Sequence, residues 1–315
     1  MSSARSQRES RAGVSRSQRA THPSIAVVLK RSAWRIYLED RKDPRIAKLI
    51  AAKDPLIDRL KAAHEEHEAT VHAVKAALAG MSARVTLIPR RQRYFDSSDF
   101  DLVVTVGGDG TLLAASHGVV NTPILGVNSS PSSSVGFFCG ARRETAEASL
   151  QQALAGKLHA LSLTRMKVTL NGRVVAARVM NDALFCHTSP AATSRYIATL
   201  KRIVEEHKSS GFWIGPAAGS TAAQRSAGGS VLPLSSEKLQ LVVREPYTPH
   251  GEQYRLRRAL IGSGELLRVR SKMHEAKLFF DGPDDWVGVG YGDMVDFTKA
   301  DQPLTVLGIR AKRSA

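Results

Sequence analysis

Apolar residues in the first half of the chain come in short unbroken runs separated by polar, helix-favouring stretches. Runs rich in Val, Ile and Leu at residues 25–29, 84–88, 100–106 and 123–127 each predict a short buried strand. Residues 45–79 carry a helical pattern, with a break at Pro55 because proline cannot continue a helix interior. Residues 112–117 predict another helix directly after the third run. Strands alternating with helices predict a Rossmann-like α/β domain, a parallel sheet with helices on both faces.

The pattern changes near residue 163. Residues 165–170 and 173–179 flank Asn171-Gly172, a strong hairpin signal. Further short strands are expected at 195–204, 238–243, 265–270, 276–280, 286–289 and 294–297, with one short helix at 221–227. The second domain is therefore expected to be mostly antiparallel β. With a boundary near Leu161, the division is a tail at 1–23, an α/β domain at 24–161, a β-rich domain at 162–309 and a basic tail at 310–315. The strand at 304–309 is expected to end the fold or to return to the first domain.

Composition narrows the classes. The 315 residues are 43% hydrophobic and 23% charged, suited to about two domains with real cores. No apolar stretch approaches the roughly 18 to 20 residues of a membrane span, and no secretory signal is present, so the expected location is cytoplasmic. The net charge of +16 is the outlier. Residues 1–23 hold five arginines and one acid, with Met1 and Val14 as their only large apolar side chains, and are expected to be disordered. An Arg- and Ser-rich start also suits an organellar transit peptide. The rest of the surplus is spread without a long basic run, and aromatic content is 6%. Nothing there asks for nucleic acid; an enzyme handling phosphates accounts for it as well.

The third strand ends in Gly107-Gly108-Asp109-Gly110-Thr111 and a helix follows. Glycines let backbone approach a ligand, and free N–H groups at a helix start favour phosphate. Asp109 sits at the carboxyl end of a parallel strand, where open α/β sheets bind ligands. A carboxylate among phosphates makes sense as a base for a hydroxyl or an indirect holder of Mg²⁺. The structural alternative is a tight turn with Asp109 as a cap. No Walker A loop is present, since Gly156-Lys157 leads into Leu158, and the GxGxxG fingerprint is absent.

Two later segments carry chemistry. Asn181-Asp182 pairs an amide with a carboxylate, able to grip ribose hydroxyls or simply to turn the chain. Residues 210–229 make a short strand, then a small-residue loop with Gly219, Ser220, Thr221 and Ala222, then Ser226 before Gly228-Gly229. Ser220 and Thr221 can either cap the helix or bind ligand; such a run is hard to justify by packing alone, and a nucleotide site is favoured.

Taken in order, these segments resemble the NAD kinase family, closest to its divergent mitochondrial-type branch. The family's GGDGT loop stands intact at 107–111, its Asn-Glu pair as Asn181-Asp182, its TGSTAYSLSAGG segment as residues 218–229, and its late Asp-Gly pair as Asp281-Gly282. The resemblance spans about residues 25–309. It implies transfer of the γ-phosphoryl of ATP to the 2′-hydroxyl of the adenosine ribose of NAD, with Mg²⁺ and NADP as product. It also implies a homodimer or homotetramer. In that frame Asp109 is the base or organiser, with Gly107, Gly108, Gly110 and Thr111 around the phosphates. Asn181 and Asp182 hold the ribose and adenosine portion, and Ser220, Thr221, Ala222 and Ser226 lie near the adenine.

Departures and competing readings bear on this. Ser210 and Ala223 stand where the common bacterial type has Asp and Tyr. The turn after the fourth strand, residues 126–139, is longer than the usual Gly-Leu-Gly-Phe. Arg142, Arg195 and Arg225 are candidates for nucleotide contacts, with surface arginine as the alternative. His64, His67, Glu68 and His72 invite a zinc reading, but a solvated helix face is favoured and no metal ligand is assigned. Cys139 and Cys186 read as packing residues. Two other functions share parts of the pattern: a kinase of a lipid or sugar hydroxyl, and a non-catalytic NAD(P)-binding regulator.

Overall fold

The computed structural model describes residues 22–90, 92, 95–248 and 253–311. The basic N-terminal tail up to residue 21, and residues 312–315 of the C-terminal one, lie outside the described residues. The first unit runs β1 (Ser24–Leu29), α1 (Ala33–Arg35), α2 (Pro44–Ala51), α3 (Pro55–Ala79), β2 (Arg84–Pro89), β3 (Leu102–Gly107), α4 (Asp109–Ser116), β4 (Ile124–Asn128), β5 (Cys139–Arg142), α5 (Ala146–Leu154) and β6 (Ala160–Leu163). The break expected at Pro55 is the α2–α3 junction: Asp54 caps α3 through Leu56 N–H, and Pro55 takes the first helical position.

The second unit is β7 (Met166–Leu170), β8 (Arg173–Val179), β9 (Ala183–His187), β10 (Ser194–Leu200), β11 (Ile203–Ser209), β12 (Phe212–Pro216), the single-turn α6 (Ala223–Ser226), β13 (Leu239–Val243), β14 (Arg258–Ile261), β15 (Leu267–Ser271), β16 (Ala276–Phe280), β17 (Trp286–Val289) and β18 (Met294–Lys299). The chain then returns as β19 (Leu304–Leu307) between β4 and β6.

The first sheet has the order β2-β1-β3-β4-β19-β6, with β5 also on β4; all neighbours are parallel except β6 against β19. Alternation splits its residues between two cores. Ile25, Val27, Val104 and Val127 face Val74 and Leu78 of α3 and Leu150 of α5. Ala26, Val28, Val103 and Ile124 face Leu112 and Leu113 of α4. The expected boundary at Leu161 falls inside β6, which belongs to this sheet.

The second unit stacks two antiparallel six-stranded sheets, β11-β10-β15-β18-β7-β8 and β14-β13-β12-β9-β16-β17. Phe185, Phe212, Phe280, Phe297 and Tyr196 fill the space between them. The hairpin at Asn171-Gly172 forms, both residues at positive φ (50° and 78°), as a type I′ turn requires. The single strand expected over 195–204 is instead the β10–β11 hairpin, turning at Lys201 (φ 56°). The helix expected at 221–227 is shorter, a 3₁₀ turn over Ala217–Thr221 followed by α6. Sequence reading missed α1, β5, α5, β6, β9, β11 and β14.

Arg165 joins the two units. It is 0% exposed and donates to five backbone carbonyls. Three lie at the last residue of α4 and just beyond it, with Nη1 to Ser116 O (3.1 Å) and Val119 O (2.7 Å) and Nη2 to Val120 O (3.3 Å). Two lie on the returning chain, with Nε to Gln302 O (2.7 Å) and Nη2 to Pro303 O (3.2 Å). Burial, with Arg178 next, pulls the guanidinium down to about 10, so it stays charged at neutral pH. Replacing Arg165 with Met strands these buried acceptors and should cost at least about 3 kcal/mol. A urea midpoint close to that of the unsubstituted chain would refute this role.

Candidate active site

The GGDG loop forms as the strand–helix junction of β3 and α4. Gly107 ends β3, Gly108 stands just before the helix, and Asp109 is its first residue. A Cβ on Gly107 would collide with the Thr111 hydroxyl, so the turn needs glycine there. The half-buried Asp109 carboxylate accepts from Phe137 N–H at 2.9 Å and Phe138 N–H at 2.7 Å. Each oxygen takes one of these bonds and keeps a lone pair for a hydroxyl. The long serine-rich turn thus has a structural use. Ser130 and Ser132 donate to Glu66 of α3 at 2.7 and 2.6 Å, Asn128 Nδ2 donates to Ser134 O at 2.9 Å, and the turn delivers the two N–H groups to Asp109.

Asn181 and Asp182 sit in the β8–β9 connection, and Asp281 shapes it. Asp281 accepts from Met180, Asn181 and Asp182 N–H at 2.9, 2.6 and 3.2 Å, and bonds His117 Nε2 at 3.0 Å. Its own N–H donates to Asp182 O at 2.9 Å. His117 directly follows α4, so one eight-residue helix, about 12 Å long, links Asp109 at its start to Asp281 at its end.

The small-residue segment packs on this connection. A Cβ on Gly219 would run into Asn181 O. The buried Gln224 donates from Nε2 to the same carbonyl at 3.3 Å and accepts from Gln240 Nε2 at 3.1 Å. The Asn181 side-chain oxygen Oδ1 is buried without a hydrogen-bond partner. Ser220 takes a structural use and not the ligand contact favoured for it: it is 0% exposed, donates to Ala217 O and accepts from Leu232 N–H. Thr221 is half-buried, and Ala222 and Ser226 are exposed.

The structure therefore assembles two stations. Gly107, Gly108, Asp109, Gly110 and Thr111 form one, and Asn181 and Asp182 with the 217–226 segment form the other. Arg225 is an exposed residue of α6 within the second station, and Arg142 and Arg195 are exposed residues of β5 and β10. Cys139 lies under the loop, its thiol pushed up to about 12 by burial and then by the charge of Asp109. His67 is not on a solvated face; it is 2% exposed and bonds Ser129 Oγ and Lys30 O. Among the described residues no group of three or more His, Cys, Asp or Glu is placed to hold a metal ion, and no helix is long and apolar enough to cross a membrane. Sequence reading missed the N–H groups of Phe137 and Phe138, together with His117 and Gln224, whose roles arise only from the long-range packing.

Comparison with known proteins decides the family. The pattern of the ATP-NAD kinase N-terminal domain matches residues 46–158. A probable NADH kinase of Oryza sativa subsp. japonica is 33% identical over 260 residues, covering 76% of this chain and 80% of its own. The chain belongs to the NAD kinase family. An NADH kinase of Arabidopsis thaliana is 31% identical over 229 residues, covering 65% of this chain and 72% of its own. Two solved structures share the fold. A yeast NADH kinase complexed with NADH has TM-score 0.66 and 15% identity, covering 93% of this chain and 85% of its own. An NAD kinase from Archaeoglobus fulgidus in complex with ATP has TM-score 0.62 and 19% identity, covering 92% and 94%.

In this NAD kinase family member, Asp182 borders a pocket of about 290 Å³ walled by Leu184, Trp213, Phe279, Gly282 and Pro283. Trp213, Leu184 and Phe279 are cross-strand neighbours on β12, β9 and β16. Apolar walls with one carboxylate suit a flat ring carrying a polar edge. Burial, and then the neighbouring Asp281, push Asp182 up to about 7. A carboxyl whose folded pKa lies above its unfolded value favours folding when protonated. That advantage is complete below the unfolded value of 3.8 and is lost as pH rises to about 7. Asp182→Asn should therefore raise the melting temperature relative to the original chain at pH 8 and have little effect near pH 4. Equal shifts at both pH values would contradict the pKa assignment.

Proposed function

We propose that the chain transfers the γ-phosphoryl of ATP to the 2′-hydroxyl of the adenosine ribose of NAD or NADH, giving NADP or NADPH. The observation that carries this reading is the Asp109 carboxylate, held by two backbone N–H groups at the mouth of a glycine loop in a NAD kinase family member. Both acceptor forms belong in the test because the two plant relatives are named NADH kinases.

The chemistry asks for in-line placement and for neutralisation of the transferred oxygens. Backbone N–H groups of Gly108, Asp109 and Gly110 at the start of α4 receive phosphate. Asp109 accepts the 2′-hydroxyl, orienting its oxygen and taking its proton. Asn181 and Asp182 hold the ribose, the buried Asn181 Oδ1 supplying an acceptor that the protein itself leaves unmatched. Thr221, Ala222 and Ser226 lie along the adenine, and the Trp213–Leu184–Phe279 wall receives a ring face. Both Asp109 oxygens already accept backbone N–H groups, which does not fit a protein-built magnesium cage, so Mg²⁺ enters as the ATP complex. A homodimer or homotetramer belongs to the same reading. Half-exposed Trp286 and Leu260, on the two edge strands of one sheet, offer apolar surface to a second copy.

The purified chain with Mg-ATP and either NAD or NADH should form the 2′-phosphorylated product, read by an NADP-dependent dehydrogenase. Asp109→Asn should lower kcat by at least about 100-fold with KM for the dinucleotide little changed. Near-normal turnover in that variant would sink the role of Asp109. Nucleotide binding without product would favour the regulatory alternative, and phosphorylation of only another alcohol would favour the lipid or sugar kinase.

A further inference from the structure

Two basic side chains outside every sequence motif border the glycine loop. β1 and β2 pair in parallel and end side by side, with Leu29 opposite Pro89, so Lys30 and Arg90 both follow at the carboxyl edge of the sheet. Lys30 N–H donates to Val106 O at 3.0 Å, one residue before the loop. The Lys30 Cβ stands 3.1 Å from the place a Cβ on Gly107 would occupy. Arg90 Nη2 donates to Gly110 O at 3.4 Å, at the loop's other end. The pair therefore brackets residues 107–110.

Lys30 is also held from behind. Its carbonyl accepts from His67 Nε2 at 2.9 Å, which leaves Nδ1 of the ring to accept from Ser129 Oγ at 2.8 Å. A buried histidine thus ties α3, the end of β1 and the serine-rich turn together beneath the loop. The ammonium itself is half-buried, and burial followed by the charge of Arg90 pulls its pKa below the ordinary lysine value. Among the described residues no carboxylate pairs with Lys30. The nearby acid of the loop, Asp109, is occupied by Phe137 and Phe138 N–H. Two close like charges, one of them losing water, are unfavourable on their own. An anion arriving between them and the loop reverses the sign of both terms.

We propose that Lys30 is a catalytic residue that contacts the transferring phosphoryl group, with Arg90 gathering the adjacent phosphate of the same donor. This rests on the kinase reading above. In the step, the 2′-oxygen bonds to the γ-phosphorus as the bridging P–O bond breaks. The bond's electron pair leaves on ADP, and the hydroxyl proton passes to Asp109. Lys30 keeps its proton throughout and faces the equatorial oxygens, on which the charge of the transition state is spread.

The test uses the full chain with Lys30→Met, Lys30→Arg and Arg90→Met, each first checked for an unchanged urea midpoint. Lys30→Met should lower kcat by about 100-fold or more, with KM for NAD or NADH within about twofold, and Lys30→Arg should restore at least about tenfold of that loss. In a separate titration with inorganic tripolyphosphate, Lys30→Met and Arg90→Met should each weaken binding by about tenfold. Turnover within twofold of the original chain in Lys30→Met, or a loss confined to KM for the dinucleotide, overturns the assignment. Should the original chain form no NADP or NADPH, the kinase reading fails by itself, and the tripolyphosphate titration still decides Lys30. Binding indifferent to Lys30→Met rejects it as a phosphate contact.

Discussion

The carbonyls at and just beyond the end of α4 are met by charged groups of the second unit. Arg165 takes Ser116, Val119 and Val120, and Arg178 Nη1 takes His117 O at 2.6 Å. A helix C-terminus is the negative end of its dipole, so two guanidiniums there are favoured electrostatically as well as by hydrogen bonding. The same Arg165 binds the returning chain at Gln302 and Pro303, just before β19 re-enters the first sheet. A change at this junction is felt by both units, because β19 lies between β4 and β6 while α4 packs across the same sheet.

That junction sets the geometry of the site. Asp109 opens α4 and His117 follows its last residue, bonding the Asp281 carboxylate that gathers three successive N–H groups of the Asn181–Asp182 connection. The Asp109 station and the Asn181–Asp182 station are thereby tied to two ends of one helix. Met180, Ala218 and Leu234 from the second unit pack with Leu112 and Leu113 of α4, so the contact is apolar as well as ionic. Preorganisation of this kind is what phosphoryl transfer needs, because its protein contribution is mostly placement and charge.

What could be seen in the sequence was whatever is encoded locally. The GGDGT loop, the Asn171-Gly172 turn and the parallel strands are written in adjacent residues, and each lies where its chemistry requires. Ser220 was legible as a polar group in a small-residue loop, but its inward turn depends on Leu232, twelve residues away. Gln224 looked like an ordinary helix residue until its amide was found between Asn181 O and Gln240. His67 shares a helix with solvent-facing neighbours, and only the approach of Ser129 and Lys30 makes it interior. Arg165 carries no local sign at all, since an arginine at a strand start is read as surface unless the five carbonyls around it are known.

The positive surplus divides physically along the same line. Part of the net +16 lies in residues 1–23 and concerns no structure described above. Arg165 and Arg178 answer carbonyls at and beyond a helix end, so their charge is engaged by backbone dipoles inside the fold. Lys30 and Arg90 differ because among the described residues no acid pairs with them, and they flank the glycine loop. Like charges held together in a half-dry place are unfavourable until a counter-charge arrives. These two charges therefore read as a local field at one sheet edge. The one carboxylate of the loop, Asp109, stands at the same edge, already held by two backbone N–H groups before any substrate enters.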